Sequence, residues 1–325
     1  MSRFVGKKIL VTGGAGFIGS NLTDHLLSEG AFVRVLDNFS TGYRKNLAEA
    51  EKSPNFELIE GDIRDRDACN AATDGVDFVL HQAALGSVPR SIKDPASSIG
   101  VNVFGFTNIL HSAVENNVKR FVFASSSSVY GDEKTLPKVE ERTGTALSPY
   151  AVSKQFNETI ALNFAALYPI EVIGLRYFNV FGPRQDPNGA YAAVIPKFVG
   201  MMLDHVEPVI NGDGSYSRDF TYIDNVVEAN CLALLADKDA CQRMFNVSCS
   251  GELDLNGLFA VLKSELSQYD SAVDGLSAVY GSSRAGDIPH SLGSIALAEK
   301  YLGYSVKVPV EEGLRRTCKW FFANR

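Results

Sequence analysis

Tyr150-Ala151-Val152-Ser153-Lys154 places a phenol and an ammonium four residues apart, on one face of a helix. A phenol titrates near 10 and is a poor base at neutral pH. A cation ~6 Å away, at an effective dielectric near 20, favours the phenolate by roughly 3 kcal/mol, or about two pKa units. Such a tyrosine can take a proton from a hydroxyl while hydride leaves the same carbon, with a serine hydroxyl completing the relay. Ser125 to Ser128 supply hydroxyls directly after the apolar run Phe121-Val122-Phe123-Ala124.

These groups need a scaffold that brings a strand end, a helix and a cofactor together. Ile9, Leu10 and Val11 form a continuous apolar run suited to a strand buried on both faces of a parallel sheet. The turn Thr12-Gly13-Gly14-Ala15-Gly16-Phe17-Ile18-Gly19 follows, and Phe17, Ile18, Leu22, Leu26 and Leu27 then recur at helical spacing. Glycines between a strand and a helix let the backbone approach a pyrophosphate, which the helix N-terminus stabilises. A second strand, Phe32 to Leu36, ends at Asp37, where a carboxylate can accept hydrogen bonds from ribose hydroxyls. Asp37-Asn38 favours NAD over NADP, because a carboxylate repels a 2′-phosphate. Arg34, Arg44 and Lys45 are read as charges serving other ends. The stretch is a dinucleotide site.

Strand and helix signals alternate through the first 180 residues. Strands are expected at 56–60, 76–80, 121–124 and 172–176, with helices at 65–73, 95–117 and 149–168. Regular succession of this kind means right-handed crossovers and a doubly wound parallel sheet, an α/β Rossmann-type fold. Residues 1–178 are taken as the dinucleotide-binding domain and 179–325 as a smaller mixed lobe, with a blurred boundary because a segment after 218 could return to the first. Helices are expected in that lobe near 195–203, 223–236, 254–265, 293–301 and 310–323. Ligands bind where the strands' C-terminal ends meet such a lobe.

The 325 residues can bury a substantial core, and 45% hydrophobic with 21% charged residues is an ordinary globular balance. A formal charge of -7 argues against nucleic acid or anionic membrane as a partner. No apolar run approaches the ~20 residues that span a bilayer, and no secretory signal stands ahead of the first strand. Cys69, Cys231, Cys241, Cys249 and Cys318 lack ligand-like spacing. They are read as reduced thiols of a cytoplasmic protein without a metal site.

With these residues in view, the chain resembles the extended short-chain dehydrogenase/reductase family over nearly its whole length, from Thr12–Gly19 through Tyr150-xxx-Lys154 to Arg284-Ala285-Gly286-Asp287. Within it the likeness is to nucleotide-sugar 4-epimerases, particularly those handling UDP-N-acetylhexosamines. The stretches His81-Gln82-Ala83-Ala84-Leu85-Gly86-Ser87-Val88-Pro89-Arg90-Ser91 and Arg176-Tyr177-Phe178-Asn179-Val180-Phe181-Gly182-Pro183-Arg184-Gln185 carry it. The resemblance implies tightly held NAD, and a catalytic set in which Val129-Tyr130-Gly131 aligns the serine with Ser126 beside Tyr150 and Lys154. Ser127 is the alternative for the serine's task. It further implies cofactor contacts at Gly13, Gly16, Phe17, Ile18, Gly19, Asp37, Asn38, Ser40, Thr41 and Gly42. Asp62 and Ile63 would lie against adenine, Gln82 to Ala84 beside the cofactor's middle, and Tyr177 and Val180 near the nicotinamide. A UDP-sugar would meet Gly86, Ser87, Ser126, Ser127, Asn179, Ala193, Val194, Asn211, Arg218, Arg284, Asp287 and Ser291, with the two arginines on the diphosphate.

Relatives that eliminate water or carbon dioxide carry a carboxylate just before the Val-Tyr-Gly. Here Ser126, Ser127 and Ser128 supply hydroxyls only. The resemblance therefore implies reversible oxidation at carbon 4, in which hydride leaves, the 4-keto sugar rotates, and hydride returns to the other face. A tyrosine is typical at the position of Ser291 in epimerases restricted to unacetylated hexoses, so serine implies room for an N-acetyl group. UDP-uronates and UDP-Glc/UDP-Gal remain alternative substrates. A nucleotide-sugar reductase, a dehydratase and a non-catalytic NAD-binding protein are the rival functions. Apolar residues on several sides of the helices at 95–117 and 149–168 imply a homodimer through a helix pair.

Overall fold

The computed structural model describes residues 2–189, 192–282 and 290–325. Its centre is a seven-stranded parallel sheet that alternates with helices. In chain order these are β1 (Lys8–Thr12), α1 (Phe17–Ser28), β2 (Phe32–Asp37), β3 (Phe56–Glu60), α2 (Arg66–Thr73) and β4 (Phe78–His81). The short helices α3 (Val88–Lys93) and α4 (Pro95–Ile99) follow, then α5 (Phe106–Glu115), β5 (Arg120–Ser126), α6 (Pro149–Leu167) and β6 (Glu171–Tyr177).

Ile9 and Val11 enter one apolar core and Leu10 the other, on opposite faces of the sheet. Phe121 and Phe123 likewise alternate with Val122 and Ala124. This two-sided burial is why those strands read as continuous apolar runs. The strand order β3-β2-β1-β4-β5-β6 reverses direction between β1 and β4, which opens a crevice at their C-terminal ends.

The helix expected at 95–117 is divided. α4 passes into a π-helical segment over Gly100–Gly105 before α5 begins. Gly105 explains the tight fit there, because a Cβ on it would lie 2.6 Å from Ile63. π-Segments recur inside α-helices at functional sites.

After β6 come β7 (Val180–Phe181), α7 (Val194–Leu203), β8 (Val209–Asn211), β9 (Ser217–Arg218), β10 (Thr221–Tyr222) and α8 (Ile223–Leu235). Next are β11 (Arg243–Val247), β12 (Leu253–Asp254), α9 (Leu255–Ser267), β13 (Val279–Gly281), β14 (His290–Ser291), α10 (Ala296–Leu302) and α11 (Val310–Ala323). β11 pairs with β6 as the seventh strand of the large sheet. The carbonyls of Ala233 and Leu234 at the end of α8 accept from Arg120 on β5. A cut at 178/179 therefore does not separate the lobes, since the sheet takes α8 and β11 back. The substrate-side lobe is built from the small sheets β12-β9-β14 and β13-β8, with α7 and α9. All five cysteines are free thiols. No described helix is long and apolar enough to cross a membrane.

Candidate active site

Three adjoining chambers of about 480, 720 and 960 Å³ run along the C-terminal edge of the sheet. Ile18, Ser40, Thr41, Gln82, Ala84 and Gly86 line both the first and the second. Ser87, Gly189, Ala192 and Ala193 line both the second and the third. The three form one groove.

The first chamber is built by the glycine turn. Gly13 has φ +69°, and a Cβ there would stand 2.8 Å from the backbone of Ala83. A Cβ on Gly19 would overlap the carbonyl of Gly13. The start of α1 thus approaches β1 and β4 as no other residue allows, and Gly13, Gly16, Phe17, Ile18 and Gly19 face the chamber. Asp37, Asn38, Ser40 and Thr41 line it from β2, and Asp62 and Ile63 from the turn after β3. Asp37 accepts from the amides of Ala15 and Phe39, both at 2.8 Å, and so ties the glycine turn to the strand end. Burial pushes its pKa up, against those two bonds. Asp62 accepts from Arg64 and from Asn38, and Arg64 holds its carboxyl down at about 2. Gly42 does not face the chamber; its Cβ position is filled by Ala15.

The second chamber holds the reactive groups. Ser148 caps α6, its hydroxyl accepting from the amide of Ala151, with Pro149 at the first helical position. Tyr150 and Lys154 then face the sheet one turn apart. The Ser126 hydroxyl, at the end of β5, lies within hydrogen-bonding reach of the Tyr150 phenol. Lys154 donates to the carbonyl of Ala124 at 2.7 Å, and its Nζ stands 5.8 Å from the centre of the Tyr150 ring. Lys154 is 2% exposed, and burial pushes its pKa down to about 8, with Glu158 opposing. Burial pushes Tyr150 up, with Ser126 opposing. The direction at Tyr150 is thus opposite to the acidification expected from Lys154, because loss of water on burial is its largest cause.

Tyr177, at the end of β6, and Val180 and Asn179 line the same chamber. Tyr177 and Gln82 share a buried hydrogen-bond cluster with Asn230 of α8, at 2.8–3.2 Å. Asn230 was missed from sequence, although an amide within the apolar run of α8 is a signal that it must have a partner. Ser87 at φ 117° and Asn179 at φ 34° carry strained backbone directly on the chamber wall. Arg90 lines it too, and so do Tyr43, Gln185 and Asp186, which were not foreseen as contacts.

Ala193, Val194 and Asn211 border the third chamber, with Lys197 and Phe198 beside them. Arg218 and Ser291 are register partners on β9 and β14 and do not line the three chambers. Arg284 and Asp287 lie outside the described residues.

A doubly wound sheet, a glycine turn at its switch point and a Ser–Tyr–Lys set beside it define a nucleotide-dependent oxidoreductase-type protein of the short-chain kind. The family model described as the NAD dependent epimerase/dehydratase family matches residues 9–248, and the chain belongs to that family. A putative UDP-glucose 4-epimerase of Methanocaldococcus jannaschii is 37% identical over 97% of this chain and 99% of its own. The structure of a UDP-N-acetylglucosamine 4-epimerase from Methanobrevibacter ruminantium, in complex with UDP-N-acetylmuramic acid, is 36% identical with a TM-score of 0.92, covering 99% of this chain and 100% of that one. That of a UDP-glucose 4-epimerase from Thermotoga maritima, with UDP-glucose, is 36% identical with a TM-score of 0.89, covering 98% and 99%.

The first chamber fits the family's cofactor. Its glycines keep the backbone of the turn open where side chains would close it, and acceptors at Asp37 and Asp62 mark its far end. NAD, when bound, takes up and returns the hydride at the reacting carbon.

Proposed function

We propose that this protein is a UDP-sugar 4-epimerase that interconverts UDP-N-acetylglucosamine and UDP-N-acetylgalactosamine. The observation that carries the reading is the convergence of Ser126, Tyr150 and Lys154 on one chamber wall, with only hydroxyls at the three positions before Val129. Tyr150 as phenolate, held in that form by the ammonium of Lys154, takes the proton of the 4-hydroxyl with Ser126 in the relay and becomes the neutral phenol. Ser127 lines the same wall and is the one residue placed to share the serine's part. A carboxylate for elimination is missing from that end of β5. The carboxylate that does line the chamber, Asp186, accepts from the Tyr43 phenol at 2.7 Å. The 720 Å³ chamber gives a 4-keto sugar room to turn its other face.

The N-acetyl preference rests on the small side chain at Ser291, the register partner of Arg218, and both stand outside the three chambers. The similarity to an acetylated-sugar epimerase supports it, while the similarity to a UDP-glucose epimerase of equal identity keeps the plain hexoses as slower substrates. One observation favours a second reading: Arg90 lines the reactive chamber with Ser87, where it would meet the carboxylate of a UDP-uronate. The test is incubation with UDP-GlcNAc, UDP-Glc and their uronates without added nicotinamide, with products resolved by NMR. Carbon-4 epimers of UDP-GlcNAc are expected to form fastest. Product only on addition of a reduced nicotinamide would replace the epimerase with a reductase.

We infer that the enzyme works as a homodimer. Phe104 of the π-segment is 58% exposed, Val152 of α6 is 49% exposed, and Ile99 and Leu162 beside them are exposed too. A second copy of the same helix pair is the occupant that matches this face.

A further inference from the structure

Three consecutive residues at the end of β5 face residues of α6, two of them through a hydrogen bond. Lys154 binds the carbonyl of Ala124, Glu158 binds the hydroxyl of Ser125 at 2.5 Å, and Tyr150 meets Ser126. Tyr150, Lys154 and Glu158 follow at i, i+4 and i+8, on one face of the helix. The contacts of Lys154 and Tyr150 belong to the reaction, but the one at Glu158 does not. Its carboxylate also accepts a fork from Arg176 on β6, at 2.9 and 2.8 Å. Ser125 and Arg176 are register partners, as are Ser126 and Tyr177 one residue further. Glu158 is 8%, Ser125 3% and Arg176 4% exposed. Arg176 is anchored in turn to the Tyr130 hydroxyl and the Glu140 carbonyl.

We propose that Glu158 is the positioning residue of the active site, fixing the catalytic helix in register against the two strand ends that carry Ser126 and Tyr177. Three charge-assisted hydrogen bonds in a dry setting hold one carboxylate between α6, β5 and β6. Without that bolt, the polar links from α6 to the end of β5 named above are left to Lys154 and Tyr150, the two groups that must stay adaptable during proton transfer. A displacement of about 1 Å at the reacting atoms costs on the order of 10²-fold in rate.

The same carboxylate is the anion that faces Lys154 and opposes the effect of burial on it. The other charged or titratable groups around this cluster are Arg176 from β6, Tyr130 after β5, Glu140 behind Arg176, Tyr150 on the same helix, and His81 on β4. Burial drives His81 down to about 3, so it is neutral in the working range. Removing the Glu158 charge leaves Arg176 unopposed. Lys154 then loses its proton at lower pH, by about one to two units for a charge one helical turn away at an effective dielectric near 20.

This inference rests on the Ser126–Tyr150–Lys154 reading, and Tyr150→Phe is measured in parallel as its control. In holoenzyme carrying Glu158→Gln, kcat is expected to fall at least about tenfold while KM for the UDP-sugar stays within about threefold. The alkaline limb of the kcat profile moves to lower pH. Glu158→Asp restores the charge but not the reach, so it returns the limb to its place and leaves kcat low. Should Glu158→Gln not fold, Glu158→Gln combined with Arg176→Gln removes both charges, and Ser125→Ala removes one grip with both charges kept. Each is expected to lower kcat with KM unchanged. Wild-type kcat in the folded variants, or a loss of kcat with the alkaline limb unmoved in Glu158→Gln, overturns the proposal. Wild-type turnover in Tyr150→Phe overturns the catalytic reading beneath it instead.

Discussion

Replacing Lys154 with methionine should stabilise the protein while inactivating it. The ammonium is fully buried, and burial holds its pKa at about 8 against an ordinary 10.5. A base whose folded pKa is depressed binds its proton less tightly than the unfolded chain does. Stability therefore rises as pH climbs from about 8 to 10.5, and the whole penalty is present at neutral pH. The gap corresponds to about 3 kcal/mol at roughly 1.4 kcal/mol per unit. Methionine keeps the length of the stem and removes the charge, but it leaves the Ala124 carbonyl without the bond at 2.7 Å, costing about 1 kcal/mol. The net gain is about 2 kcal/mol. With an unfolding entropy of about 2.1 cal/mol/K per residue, a chain of 325 residues gains roughly 3 °C in Tm. Cofactor-free wild type and Lys154→Met are compared by urea titration followed by circular dichroism at pH 7, and turnover is measured on loaded protein. A variant that is no more stable than wild type, or one that keeps more than about a hundredth of its turnover, refutes the reasoning.

Tyr150→Phe should lower turnover by at least about 10²-fold with the fold intact, and Ser126→Ala likewise unless Ser127 takes over. His81 is buried on Phe106 and Phe121 with its pKa driven down to about 3, so stability is lost as pH falls below 6.5. Between pH 7 and 5 that loss is about 2 kcal/mol, and urea titrations of His81→Gln should lack it. Ser291→Tyr should abolish turnover of acetylated substrates and spare UDP-Gal; an undiminished rate on UDP-GlcNAc means that Ser291 is not the gate. Light scattering at micromolar concentration should give a dimer mass, and Phe104→Glu a monomer.

The large sheet was readable because both its faces are buried. Ile9-Leu10-Val11 and Phe121-Val122-Phe123-Ala124 are apolar at every position, which only a strand between two helical layers requires. The paired segments β9, β12 and β14 are two residues each, too short to show any period, and their existence depends on partners far along the chain. Helix α3 was hidden for a related reason: six residues opening on Val88-Pro89 carry no repeat, and Ser87, which caps it, does so from φ 117°. The return of β11 to β6 is likewise a matter of topology, which local pattern does not encode.

The reactive set was legible as residue types, and its electrostatics were not. A distance of one helical turn predicts how strongly Lys154 and Tyr150 attract in their charged forms. It says nothing of the water that both lose when α6 closes on β5. That loss acts on the two groups in opposite directions, raising the phenol and lowering the ammonium, so each is shifted toward its neutral form. Glu158 is what opposes this for Lys154, and the Ser126 hydroxyl is what opposes it for Tyr150. The Lys154 proton is held from behind by a carboxylate one turn further along α6, which spacing alone displays as an unremarked glutamate in Tyr150–Glu158. The Tyr150 phenol has the Lys154 ammonium 5.8 Å from the centre of its ring, on the next turn of the same helix.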